Sequence, residues 1–253
     1  MYPVLWEPFG FPISSFGVMM AVGFLVADRI VARRFAEQGL DRELSSTILV
    51  WAVVCGVLGS KIYYAIEFSL RGEGSFWGLL FDRAGMVWFG GLIAGTLGVA
   101  FATKLHGIST SVVAAAVANA APFGQACGRI GCFLVGDDYG RPTTAWYGVE
   151  FPNGAPPTVD ALGNVYAVVP TQLLEVAWLV GIGALLWRRR KTSPFLFAEY
   201  AVLAGIGRFF VEFLRINDPV AFDLTGAQLI GLAMVVVGGA FWLRARPAQP
   251  AAA

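Results

Sequence analysis

Three ionisable residues share one short apolar segment, Gly207-Arg208-Phe209-Phe210-Val211-Glu212-Phe213-Leu214-Arg215. Arg208, Glu212 and Arg215 stand at i, i+4 and i+7, which puts them on one face of a helix with aromatic residues between them. Glu212 can pair with either arginine, and this stripe alone then carries one unmatched positive charge. A charge in hydrocarbon costs about 2.5–3.5 kcal/mol on insertion scales, so each such residue needs a reason to be there. An interfacial ion pair is one reason. A site for a lipid phosphate is the stronger one, because a guanidinium stays charged and offers a bidentate fork.

A second cationic position lies in Gly124-Gln125-Ala126-Cys127-Gly128-Arg129-Ile130-Gly131-Cys132-Phe133-Leu134-Val135-Gly136-Asp137-Asp138-Tyr139-Gly140-Arg141. Gly128 and Gly131 flank Arg129 and allow a ligand or a backbone to come close. Asp137, Asp138 and Arg141 follow where the chain should leave the apolar phase. Adjacent carboxylates more often form a solvated turn than a metal site, and the spacing of Cys127 and Cys132 matches no zinc pattern. Pro170-Thr171-Gln172-Leu173-Leu174-Glu175 opens another apolar run with Gln172 and Glu175 at i and i+3. His106, the one histidine, is expected on the opposite side and in a structural role.

These groups must be positioned by membrane helices. Hydrophobic residues make up 57 % of the 253 and charged residues 14 %, against about 25 % charged in a soluble domain. The net charge of +1 gives no basis for nucleic-acid binding. Three cysteines exclude a disulfide scaffold. Seven apolar windows approach the length that a ~30 Å hydrocarbon core requires. They run roughly Ile13–Phe35, Ser45–Ile66, Val87–Leu105, Ser111–Gly128, Thr171–Trp187, Phe195–Leu214 and Gly226–Leu243. The reading is an all-α integral membrane protein of seven transmembrane helices.

Eleven of the 18 basic residues, among them Arg188 to Lys191, fall on one side of these windows. That side is the cytoplasmic one, which leaves the N-terminus periplasmic and the C-terminus cytoplasmic. No cleavable signal peptide is expected, since the basic cluster follows the first apolar run. Residues 1–253 read as a single polytopic membrane domain, with a periplasmic loop region over 137–169 and a disordered tail over 247–253. Many of the 31 glycines are spaced by four, such as Gly91 with Gly95 and Gly124 with Gly128, a pattern that suits close helix packing.

The sequence resembles the bacterial prolipoprotein diacylglyceryl transferase family. The resemblance rests on Gly128-Arg129-Ile130-Gly131-Cys132-Phe133 through Gly136 to Gly140-Arg141, and on Arg208 to Arg215. It is carried further by Phe89-Gly90-Gly91-Leu92-Ile93-Ala94-Gly95, by Pro170 to Glu175, and by Ser15-Phe16-Gly17 with Val22-Gly23-Phe24. It covers nearly the whole chain. It implies an enzyme of the bacterial inner membrane that moves the diacylglyceryl group of phosphatidylglycerol to the lipobox cysteine thiol of prolipoprotein signal peptides. A thioether forms and glycerol phosphate leaves. The resemblance makes Arg129, Arg208 and Glu212 catalytic. It puts Arg129, Gly131, Gly136, Gly140, Arg141, Gln172, Arg208 and Arg215 around phosphatidylglycerol. Membrane lipids and prolipoproteins are the implied partners, and neither metal nor organic cofactor is implied. The chain departs from the family's pattern at Phe16, Phe89, Val135, Val169 and Leu174, where polar groups are common. These departures admit an alternative, a paralogue that binds phospholipid or lipoprotein in the same cavity without transfer. A transporter would need polar groups through both halves of the membrane and an inverted repeat, and the sequence shows neither.

Overall fold

The computed structural model describes residues 2–10, 12–82 and 85–244. Among the described residues the protein is helical apart from two short antiparallel strand pairs. The long helices are α1 (Ser15–Glu37), α2 (Glu43–Leu70), α4 (Trp88–Leu105), α5 (Thr110–Val135), α6 (Thr171–Arg189), α7 (Leu196–Glu212) and α8 (Gly226–Arg244). A one-and-a-half-turn helix, α3 (Phe76–Phe81), follows α2 and is capped by the Ser75 hydroxyl, which accepts from the Gly78 amide at 3.1 Å.

Each long helix overlays one of the seven apolar windows, with one informative difference. The fourth window was expected to end at Gly128, but α5 continues to Val135. It therefore carries Arg129 within a helix. Gly131 does not break it because α1 packs there: a side chain on Gly131 would lie 3.1 Å from the Met19 Cβ and 3.2 Å from the Phe16 Cα. Three helices are long and apolar enough to cross a membrane, Ser15–Glu37, Glu43–Leu70 and Gly226–Arg244, and Phe89–Leu105 forms a shorter apolar helix. The helices outside this set include those that hold the charges, α5, α6 and α7.

The chain forms two compact units, Met1–Ala27 with Val117–Ala253, and Asp28–Ala116. In the second unit α2 and α4 pack with almost no room between backbones. A Cβ on Gly59 would lie 2.4 Å from the Gly90 carbonyl oxygen and 2.2 Å from the Ala94 Cβ. Asp28 there accepts hydroxyl hydrogens from Ser45 at 2.8 Å and Ser46 at 3.1 Å, tying the end of α1 to the start of α2.

In the first unit, the segment after α5 is ordered by backbone pairing. The Gly140 amide donates to the Val169 carbonyl at 2.8 Å, and the Arg141 amide to the Leu214 carbonyl at 2.8 Å. The Val169 amide returns a bond to the Arg141 carbonyl at 3.0 Å. Three pieces of chain, after α5, before α6 and after α7, are thus laced side by side. Within the expected loop region, the short strand Val149–Glu150 pairs antiparallel with Ala167–Val168. Residues 247–253, expected to form a disordered tail, lie outside the described residues.

Candidate active site

The lacing fixes where six charged side chains meet. α5 supplies Arg129, α6 Glu175, and α7 Arg208 and Glu212. The turn after α5 supplies Asp138 and the turn after α7 supplies Arg215. Gly136 makes the first turn possible. Its φ of +78° is unfavourable for residues with a Cβ, and its amide donates to the Cys132 carbonyl at 2.9 Å, closing α5. Gly140 is needed for a different reason: a side chain there would lie 2.5 Å from the Leu214 carbonyl oxygen and 2.9 Å from the Thr171 Cγ2.

The six side chains form a closed ring in which positive and negative groups alternate. Arg129 Nη1 stands 2.6 Å from Asp138 Oδ2, and Arg129 Nε stands 2.9 Å from Glu175 Oε2. Glu175 Oε1 accepts from Arg208 Nη1 at 2.9 Å, and Arg208 Nη2 reaches Glu212 Oε2 at 3.1 Å. Arg215 Nε lies 3.8 Å from Glu212 Oε2, and Arg215 Nη2 bonds Asp138 Oδ1 to close the circuit. The two arginines singled out from sequence therefore grip the two oxygens of one carboxylate.

Burial grades the ring. The Glu212 side chain is 1 % exposed, Glu175 10 % and Asp138 41 %. Glu212 is also held by neutral donors, Asn217 Nδ2 at 2.6 Å and the Thr225 hydroxyl at 2.9 Å, both on Oε1. Burial would raise the proton affinity of Asp138, but the guanidiniums of Arg215 and Arg129 hold its carboxyl below the ordinary carboxylate range. Asp137 moves the other way, raised by burial and by the adjacent charge of Asp138.

The sequence reading needs one correction and one addition. The positive charge left unmatched on the Arg208–Arg215 stripe is matched, because Glu175 and Asp138 complete a ring of three cations and three anions. Asp138 is exposed in the turn after α5, as the sequence reading has it, but both its oxygens also carry guanidinium partners. Neither Glu175 nor Asp138 was among the expected site residues. Glu175 had a signal in sequence, a carboxylate inside an apolar run three residues after Gln172. Asp138 had none beyond its neighbour Asp137.

The remaining expected residues surround the ring without joining it. Gln172 is buried, and its Nε2 donates to the Asp137 carbonyl at 2.6 Å, while the Thr171 hydroxyl donates to the Asp138 carbonyl at 2.9 Å. Arg141 donates through Nη2 to the Phe213 carbonyl at the end of α7. Gly131, Gly136 and Gly140 sit at close chain approaches. Of the departures, Phe16 lies beside Gly131. Val169 is buried against Gly140, and Leu174 is exposed. The Cys132 sulfur and the carboxylates of Asp137 and Asp138 lie within 4.8 Å of one another, but Asp138 spends its oxygens on Arg129 and Arg215. His106 ends α4 in the other unit.

The sequence profile of the prolipoprotein diacylglyceryl transferase family matches residues 3–244. The chain belongs to this family. It is 32 % identical over 245 residues to phosphatidylglycerol--prolipoprotein diacylglyceryl transferase 2 of Clostridium perfringens, covering 93 % of this chain and 92 % of that protein. It is 32 % identical to the corresponding transferase of Clostridium tetani, covering 94 % and 95 %. The transferase of Gloeobacter violaceus is 28 % identical, with 98 % and 94 % covered. The family relationship thus spans both units, and the matched region contains every member of the charged ring.

Proposed function

We propose that this member of the family is a membrane-bound transferase that moves the diacylglyceryl group of phosphatidylglycerol onto the lipobox cysteine thiol of a prolipoprotein. The observation that carries the reading is the placement of Arg129 and Arg208 on one shared carboxylate. A guanidinium has five N–H donors. Arg129 spends Nε and Nη1 in the ring, and Arg208 spends Nη1 and Nη2. Arg129 Nη2 and Arg208 Nε remain for an incoming phosphate. Glu175 and Glu212 fix the planes of the two forks, so the donors are oriented before the lipid arrives.

In the reaction the substrate sulfur attacks the glycerol carbon that bears the phosphate. The C–O bond breaks, and its electron pair leaves on the phosphate oxygen. Glycerol phosphate therefore departs with one more negative charge than the diester carried. Two preorganised guanidiniums stabilise that growing charge more than they stabilise the bound lipid, which is the condition for a rate effect. The protein supplies no nucleophile of its own.

The membrane arrangement we propose has seven spans, the N-terminus periplasmic and the C-terminus in the cytoplasm, in the bacterial inner membrane. The basic residues of 188–191 and the overlay of seven long helices on seven apolar windows support it. The ring then faces the outer leaflet and the space where a translocated prolipoprotein arrives. Reporter fusions after Asn153 and after Arg190 should report opposite compartments, and the same compartment at both would exclude this topology. The function itself is tested with the purified chain, phosphatidylglycerol vesicles and a lipobox peptide. A peptide mass increased by one diacylglyceryl group is the expected product. Lipid binding with no mass change would favour the paralogue that binds without transfer, a reading to which the aromatic Phe16 beside α5 gives some support.

A further inference from the structure

The transfer just described needs a group to take the thiol proton, and the ring contains one carboxylate unlike the other two. Glu175 and Glu212 project from helices and are at least nine-tenths buried. Glu212 Oε1 accepts from Asn217 and Thr225, and Oε2 is ion-paired to Arg208 with Arg215 beside it. Glu175 is clamped between Arg129 and Arg208. Asp138 lies outside the helices, and its side chain is 41 % exposed. Its backbone is held independently of its carboxylate: the carbonyl accepts from Thr171, the preceding carbonyl accepts from Gln172, and φ is +58°. The carboxylate can therefore leave Arg129 without moving the turn.

We propose that Asp138 is the base for the incoming thiol, and that it becomes available when the lipid phosphate takes its place on Arg129. This rests on the transferase reading. In the resting ring two guanidiniums make Asp138 a poor base. A bound phosphate claims Arg129 and sets a negative charge next to the displaced carboxylate, and both changes raise its proton affinity. The groups that face it are Arg129 from α5, Arg215 from the turn after α7, and Asp137 and Cys132 on its own side. The thiol proton passes to the Asp138 carboxylate, and the thiolate then displaces the phosphate from carbon. The carboxylic acid gives the proton to water or to the departing phosphate. The first substrate thus switches on the base that the second requires. Asp137 is the nearest rival, but the carboxylate paired with Arg129 is that of Asp138, so a phosphate arriving on Arg129 frees Asp138 and not its neighbour.

The test compares Asp138→Asn, Asp138→Glu and Asp137→Asn with the unaltered chain. The substrates are phosphatidylglycerol vesicles and two peptides, one with cysteine and one with selenocysteine at the acceptor position. A selenol ionises without help at neutral pH, so it bypasses a missing base. Asp138→Asn should lower turnover of the cysteine peptide by about 100-fold or more. It should leave turnover of the selenocysteine peptide within about threefold, and KM for the lipid should not rise. Asp138→Glu should restore most of the cysteine activity, with the acidic limb of the pH profile still present. Equal losses on both peptides, full cysteine turnover by Asp138→Asn, or a thiol-specific loss in Asp137→Asn instead would each overturn the proposal. No transfer by the unaltered chain to either peptide would overturn the transferase reading, and this proposal with it.

Discussion

The α2–α4 pair and the ring-bearing ends of α5, α6 and α7 are held together by opposite means. Between α2 and α4, glycines bring backbone onto backbone, as at Gly59 against Gly90 and Gly95 against the Ala52 carbonyl. Lipid tails are as apolar as leucine, so burying apolar area gives little advantage there, and close dispersion contact replaces it. Around the ring, the helices are joined by six ion pairs and, at Glu212, by an amide and a hydroxyl donor. Charges are costly in that setting and a tightly packed apolar interface would hold the helices as well. On the transferase reading, the ring is expected to serve activity more than stability. Loss of a ring member should therefore cost function well beyond its structural cost, whereas loss of a packing glycine should cost stability alone.

The largest structural effect is expected from Glu175→Gln. It leaves two guanidiniums facing a neutral amide, an arrangement that costs about 3–5 kcal/mol in a buried pair and less here because both arginines are about one-quarter exposed. Both the thermal midpoint and transfer should fall, and transfer should fall by far more than the unfolded fraction explains. Gly59→Leu comes next. Overpacking against the Gly90 carbonyl should cost about 2 kcal/mol, seen as a lower midpoint, with transfer per folded molecule unchanged. A fall in specific activity as large as that of Glu175→Gln would erase the contrast.

A smaller effect is set by pH. The folded protein holds Asp138 below its unfolded value, so its contribution to stability is complete above about pH 4 and is lost as pH falls through the folded value. The midpoint difference between the unaltered chain and Asp138→Asn should be constant at neutral pH and shrink on acidification. The smallest effect belongs to Arg71→Lys. Arg71 is an exposed i,i+4 partner of Glu67, so both stability and transfer should change by no more than about 0.5 kcal/mol.

Much of this was legible in sequence because helix periodicity is local. The i, i+4, i+7 spacing placed Arg208, Glu212 and Arg215 on one face, and the apolar windows located the long helices. The ring's closure was not legible, because it depends on long-range turns. Asp138 reaches Arg215 through the pairing of Gly140 and Arg141 with Val169 and Leu214, which no local pattern announces. The end of α5 was misjudged for a related reason: glycine weakens a helix in isolation, while the close contact of Gly131 with α1 favours it in the folded chain. Gln172 was expected to touch lipid, and its type and position were recognised as unusual. That its amide binds the Asp137 carbonyl follows only from the fold.

The central claim is that Arg129 and Arg208, each with its fork held by ring carboxylates, donate together to a phosphate whose charge grows during transfer. Arg208→Lys keeps the charge and removes the fork. The most direct measurement is its turnover in the peptide mass-shift assay beside its affinity for phosphatidylglycerol, with Arg129→Lys run in parallel. Turnover should fall by about 100-fold or more, as for loss of one preorganised oxyanion donor, while lipid affinity falls much less. Turnover of a folded Arg208→Lys protein close to that of the unaltered chain would contradict the account.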